Sequence, residues 1–120
     1  MHEVGIANSI LEAVQAEIGL HPGKVPLKIA VRIGEFAAID PEALHFCFEA
    51  LTRDTQWEAL RLDIEVCQAR YFCPECTFDF SIPQFDPRCP KCGNEHTQFL
   101  SGDQLELVYL EMEENEPTTT

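Results

Sequence analysis

The chain has 120 residues, 45% of them apolar and 24% charged, which is ordinary usage for one modest globular domain or a domain with a small appendage. Twenty-one Asp and Glu against eight Lys and Arg give a formal charge of −13. That excess disfavours nucleic acid and anionic membranes as partners, because phosphates are neutralised by clustered Lys and Arg.

The first predicted element is a helix over residues 4–18. Ile6, Ile10, Val14 and Ile18 recur every four residues, and Leu11 widens the stripe. Gly19 stands where a C-terminal cap belongs, and His21-Pro22-Gly23 makes a turn. The period then changes to two. Val25, Leu27, Ile29, Val31 and Ile33 alternate with Pro26, Lys28, Ala30, Arg32 and Gly34, which predicts a strand with one buried face. Asp40-Pro41 opens a second helix, since Asp is a good N-cap and Pro at the first helical position loses no hydrogen bond. Leu44, Phe48 and Leu51 form its apolar stripe, and it frays near Arg53-Asp54. Leu62, Ile64 and Val66 mark a strand running toward Phe72. After a cysteine-rich segment, Gly102-Asp103 punctuates, and Leu105 to Met112 reads as the last strand. It is apolar on both faces, so it is expected at the centre of the sheet. The acidic end, 114–120, is expected to be disordered.

No apolar run approaches the roughly 20 residues that cross a bilayer. The first residues lack the basic and apolar regions of a signal peptide, so a cytoplasmic location is expected. A reducing compartment favours metal thiolates over disulfides for the six cysteines. Cys73-Pro-Glu-Cys76 and Cys89-Pro-Lys-Cys92 are two C-x-x-C knuckles separated by twelve residues. Each brings two sulfurs to one ion, and together they close a tetrahedral four-thiolate site of the kind Zn²⁺ accepts. Iron fits the same donors. The spacer carries its own hairpin signal: Phe78 to Ile82 alternates as a strand before Pro83 and Asp86-Pro87 turn the chain back. A thioredoxin-like redox motif would need a single C-x-x-C opening a helix. A segment of about 25 residues cannot fold on its own hydrophobic core, so zinc would supply its folding free energy. Four protein ligands leave no open coordination position, which makes the ion structural and not catalytic. His96 is expected in solvent, and Cys47 and Cys67 are expected buried as apolar residues. His21 and His45 carry no motif.

The fold class expected from these elements is α+β: a small mixed three-stranded sheet with two helices packed on one face, plus an inserted rubredoxin-like zinc ribbon. Residues 1–70 and 100–113 would form the α+β domain, 71–99 the ribbon and 114–120 the tail.

Met1-His2-Glu3 is the second constellation. Bulky His2 should leave the initiator Met1 in place. The α-amine, the next amide nitrogen and the imidazole then form fused chelate rings that suit Ni²⁺ or Cu²⁺, with the Glu3 carboxylate nearby. The bland alternative is a solvated histidine at a frayed terminus. Asp40 is ambiguous in the same way, as helix cap or as metal carboxylate.

Met1-His2-Glu3, Asn8-Ser9-Ile10-Leu11-Glu12, Ile33-Gly34-Glu35, Pro41-Glu42-Ala43-Leu44 with Phe46 and Phe48, the paired knuckles and Gly102-Asp103 follow in one order. Together they resemble the HypA/HybF family of hydrogenase nickel-incorporation proteins over residues 1 to about 112. The resemblance implies a non-enzymatic nickel metallochaperone for [NiFe] hydrogenase maturation. It implies nickel at Met1 and His2, with Glu3 and Asp40 in matching acidic positions, and zinc at Cys73, Cys76, Cys89 and Cys92. The implied partners are a nickel-binding GTPase of the HypB type, the hydrogenase large-subunit precursor and, in some organisms, urease accessory proteins. Val4-Gly5 and Gln104 depart from the family's usual residues and bear on helix geometry. One alternative is a zinc-ribbon protein adaptor with no nickel role. Glu75, Asp79, Asp86 and Glu95 against Arg88 and Lys91 make its ribbon acidic and argue against nucleic acid. A metal-dependent enzyme ranks below both, since no open metal position with a general base is visible.

Overall fold

A computed structural model of the chain describes residues 2–81 and 86–114. Its elements are α1 (His2–Gly19), β1 (Lys24–Gly34), α2 (Pro41–Thr52), β2 (Arg61–Cys67), β3 (Arg70–Cys73), β4 (Phe78–Ser81), β5 (Gln98–Ser101) and β6 (Leu105–Glu114). The strands form two three-stranded sheets, ordered β2-β1-β6 and β4-β3-β5, so the fold class is α+β. The chain separates into two compact units. One holds the residues up to Val31, Ile39–Glu65 and the chain from Glu106 onward; the other holds Arg32–Ala38 and Val66–Leu105. Met1, Ile82 and Pro83, and the tail 115–120, lie outside the described residues.

In the first unit α1 packs against α2. α1 buries Ala7, Ile10, Leu11 and Val14, while Ile6 and Ile18 at the ends of the stripe are half-buried. The helix starts two residues earlier than its periodicity indicates, because His2 and Glu3 carry no apolar signal yet are helical. Gly19 ends the helix without a left-handed φ; that conformation falls instead to Gly23 in the turn. α2 starts as predicted. The Asp40 carboxylate Oδ1 accepts the backbone N–H of Glu42 at 3.0 Å and of Ala43 at 3.5 Å, satisfying two donors the helix itself cannot. Leu44 and Phe48 are buried in this core, each contributing roughly 1.5–3 kcal/mol. Thr52, also buried, donates its hydroxyl to the Phe48 carbonyl at 3.0 Å.

Two strand expectations are corrected. β1, not β6, is the middle strand. Ile29, Ala30 and Val31 are buried in succession, so both faces of β1 are covered there. β6 lies at an edge and exposes Leu105, Leu107, Val108 and Tyr109. The double-apolar rule holds for sheets covered on both faces. Here the polar side of β1 is masked by a long side chain instead: the Lys28 ammonium sits 5.5 Å from the Tyr109 ring centroid and 3.9 Å from Glu111. The strand leading toward Phe72 is also two strands, β2 and β3, which belong to different sheets.

In the second unit β3 is flanked on both sides by antiparallel partners. Tyr71 pairs with Phe80 of β4 and with Phe99 of β5. β5 was not legible from the sequence. Arg32–Ala38 belongs to this unit and is held by main-chain bonds: Gly34 N–H to Gln104 O (2.9 Å), Glu35 N–H to Cys67 O (2.8 Å) and Phe36 N–H to Gly102 O (2.6 Å). The Glu35 carboxylate accepts the Ala69 N–H at 2.7 Å. This crossing explains Gly34 and Gly102: a Cβ on Gly34 would lie 2.1 Å from the Gly102 carbonyl oxygen, and Gly102 itself has φ +142 with Ala69 against it.

Candidate metal centre

Cys73 is the last residue of β3, and its ladder partner Phe78 begins β4, so the hairpin closes around the first knuckle. Thr77, the residue after that knuckle, turns the chain at φ +50. The second knuckle closes by the Gly93 N–H bonding to the Cys89 carbonyl at 2.8 Å and the Cys89 N–H to the Asn94 carbonyl at 3.0 Å, with Gly93 at φ +76. Two similar turns thereby point their sulfurs inward. The Sγ atoms of Cys73 and Cys92 are 3.8 Å apart, those of Cys76 and Cys89 3.9 Å, and all four lie within 4.8 Å of one another.

A tetrahedron with metal–sulfur bonds of about 2.3 Å, as for Zn²⁺, has edges of about 3.8 Å, which the Cys73–Cys92 and Cys76–Cys89 separations match. It is nearly twice the roughly 2.05 Å of a disulfide, and all six cysteines are free. Backbone donors already address the sulfurs: Cys76 N–H to Cys73 Sγ and Lys91 N–H to Cys89 Sγ, both at 3.4 Å. The Asn94 amide approaches Cys73 Sγ at 3.8 Å. Burial works to raise the Cys73 thiol, but the Cys76 N–H, the Cys89 thiol and the Asn94 amide prevail and hold it down at about 7. Cys76 is pushed up to about 12, first by its hydrogen bond with Cys92 and then by burial. Cys92 is also raised: the Asn94 N–H and the Cys76 thiol lower it, but burial and the thiols of Cys73 and Cys89 outweigh them. Without a cation the cluster keeps protons that a metal must displace.

The ion site is walled by the unit's own core. Ala69, Tyr71, Cys73, Phe80 and Cys89 are buried together, with Phe36, Cys76 and Phe78 against them. Phe36 stacks on Phe99 at 5.8 Å and Tyr71 on Phe80 at 5.7 Å, while Lys91 lies 4.2 Å over the Phe78 ring centroid. This core is not the ribbon segment's own: Tyr71, Phe78 and Phe80 of β3 and β4 are completed by Ala69 and by Phe36 from the chain after β1. Phe36 and Asn94 were missed from the sequence. Asn94 carried a signal in its place two residues beyond the second knuckle; Phe36, distant in sequence, carried none. His96 is exposed and outside the cluster, and Cys47 and Cys67 are half-buried.

At the other candidate site, Glu3 and Asp40 meet. The Asp40 N–H donates to Glu3 Oε2 at 3.2 Å, and His2 Nε2 lies 4.0 Å from the same oxygen. The bond from the Asp40 N–H holds the Glu3 carboxyl below its usual range. His2 is exposed. Met1, whose amine the sequence reading uses, is outside the described residues. Among the described residues, the four cysteines are the group whose ligand atoms already converge on one ion position. No helix among the described residues is long and apolar enough to cross a membrane.

The family model described as hydrogenase/urease nickel incorporation, metallochaperone, hypA matches residues 1–112. The hydrogenase maturation factor HypA of Geotalea uraniireducens is 37% identical over 113 residues, covering 94% of this chain and 100% of that protein. The same factor from Geobacter metallireducens is 36% identical with the same coverage. The solution structure of the Ni metallochaperone HypA from Helicobacter pylori superposes with TM-score 0.64 at 24% identity, over 93% of this chain and 97% of that one. A second solution structure of a HypA protein reaches 0.70 at 23% identity, over 97% and 98% of the two chains. These structural likenesses bear on the fold.

Proposed function

The chain belongs to the HypA family of hydrogenase/urease nickel-incorporation metallochaperones, and on that premise we propose that it carries Ni²⁺ at its amino terminus and hands it on during [NiFe] hydrogenase maturation in the cytoplasm. A metallochaperone is an accessory protein and not an enzyme, so no catalytic residue is assigned. The Met1 amine and the His2 nitrogens are the proposed donors, with Glu3 and Asp40 as nearby carboxylates. The observation that carries this reading is the Glu3–Asp40 hydrogen bond. It ties the first turn of α1 to the start of α2, so Glu3 is held beside a second acidic residue, Asp40. Exposed His2 suits a cargo that must leave again, since a closed, over-tight site cannot pass its ion on.

Cys73, Cys76, Cys89 and Cys92 are proposed to hold Zn²⁺, which when bound stabilises the fold by cross-linking the two knuckles. The spacing of the sulfurs supports zinc, and the closed donor set argues for a structural role. The proposed recipients are a nickel-binding GTPase of the HypB type and the hydrogenase large-subunit precursor, with urease accessory proteins as a further client.

The test is nickel stoichiometry of the untagged chain, of His2→Ala, and of a chain extended by a few residues before Met1. Both changes should abolish specific nickel binding while zinc content stays constant. Nickel binding untouched by either overturns the terminal site.

A further inference from the structure

α2 turns an aromatic ring outward. Phe46 is 69% exposed, although Leu44 and Phe48 on either side of it are buried. An exposed Phe contributes nothing to the core. It borders an open groove of about 380 Å³ between α2 and β2, lined also by Pro41 and Ile64. The charged groups lining the groove are the carboxylates of Glu42, Glu49 and Asp63; among the described residues no lysine or arginine lines it. Asp63 is partly offset by the Lys28 ammonium. His45 adds one neutral-to-cationic group. The groove starts at Pro41, the residue after Asp40, whose N–H is bound by Glu3.

An aromatic anchor in a groove rimmed mainly by carboxylates is the composition of a protein-docking site. What covers it must bring an apolar side chain to Phe46 and Ile64, and cations to the three carboxylates. A second copy of the chain brings a net charge of −13 and the same carboxylates, so it is disfavoured. We propose that the α2–β2 groove docks a cationic segment with an apolar tip from a partner protein, with Phe46 as the anchor. Its position beside the amino terminus, which rests on the nickel reading above, makes it the surface over which that partner would exchange cargo.

The probe is a synthetic amphipathic peptide of Lys and Leu, titrated into the full-length zinc-loaded chain at about 0.3 M salt, where surface charges more than a few ångströms apart are screened. Amide shifts should cluster on Glu42–Glu49 and on Asp63 and Ile64. Phe46→Ala should weaken binding about tenfold or more, the loss of one anchor. The double change Glu42→Gln with Glu49→Gln should weaken it and flatten its salt dependence. Leu20→Ala, at a residue 72% exposed in the turn after α1, should leave it unchanged. Equal affinity for Phe46→Ala, shifts spread over the whole acidic surface, or no binding at about 1 mM overturns the proposal. Self-association of the wild type that Phe46→Ala abolishes also overturns it, in favour of a second copy. Nickel stoichiometry is measured on the same samples. Peptide binding without nickel binding leaves the docking site standing and removes its link to cargo; nickel binding without peptide binding sinks the docking site alone.

Discussion

Gly34→Ala should destabilise the metal-loaded chain by about 2–4 kcal/mol. The added Cβ would sit 2.1 Å from the Gly102 oxygen and 2.2 Å from its carbonyl carbon, about 1 Å inside any tolerated approach. Both partners are main chain, so no rotamer change relieves the overlap, and the two segments must part. Parting them strains the Gly34–Gln104 and Phe36–Gly102 hydrogen bonds at 2.9 and 2.6 Å. Each is worth about 1 kcal/mol net, and more if a buried group is left unpaired. Against a typical total of about 5–15 kcal/mol, that loss lowers the denaturation midpoint clearly. The assay is denaturant unfolding followed by far-UV circular dichroism, with metal content checked on the same sample. Gly5→Ala is the matched control. Gly5 is inside α1 with nothing within 4 Å of the added Cβ, so it should be stabilising by about 0.5–1 kcal/mol. A Gly34→Ala midpoint within about 0.5 kcal/mol of the wild type would refute the reasoning, because it would mean the crossing of the two segments is loose.

Cys73→Ala removes a buried donor and one vertex of the sulfur tetrahedron; it should abolish stoichiometric zinc binding and the protected amides of β3 and β4, and full zinc retention would count against the four-sulfur site. Asp40→Ala should lose about 1 kcal/mol of stability with its cap. Asp40→Asn should keep the cap and its stability, so weaker nickel binding in the Asn variant alone isolates a ligand role, and unchanged nickel binding restricts Asp40 to capping. The Glu3 carboxyl is held below its ordinary value of 4.5 by the Asp40 N–H. Its folded value is depressed, so the bond stabilises the fold fully above pH 4.5 and is lost as pH falls through the folded value; Glu3→Gln should flatten the acid limb of a stability profile, and an unchanged limb removes the tether. An amine and an imidazole bind protons in competition with metal, so nickel affinity should fall steeply toward about pH 5.5, roughly a unit below the free imidazole value; a flat affinity there is incompatible with the terminal donors.

What the sequence by itself determined is local. Asp40-Pro41 opens α2 because the cap needs only its own next three residues. The C-x-x-C knuckles predict a four-sulfur cluster because each turn is built from consecutive residues, and only the docking of two turns remains to be found. The stripe of α1 is read from a 3.6-residue period that any apolar partner would satisfy. Pairings between distant segments were decided by the tertiary structure. Which strand is central depends on who lies on both of its sides, and Lys28 can mask the polar side of β1 as well as an apolar residue could. β5 is four residues with no pattern of their own, a strand only because β3 offers it an edge. The Glu3–Asp40 bond spans 37 residues, and Phe36 reaches the ribbon's core across a similar distance in sequence. The exposure of Phe46 belongs to the same class: an apolar residue on a helix carries no mark of which side the neighbouring elements leave open, and only their arrangement turns it toward solvent.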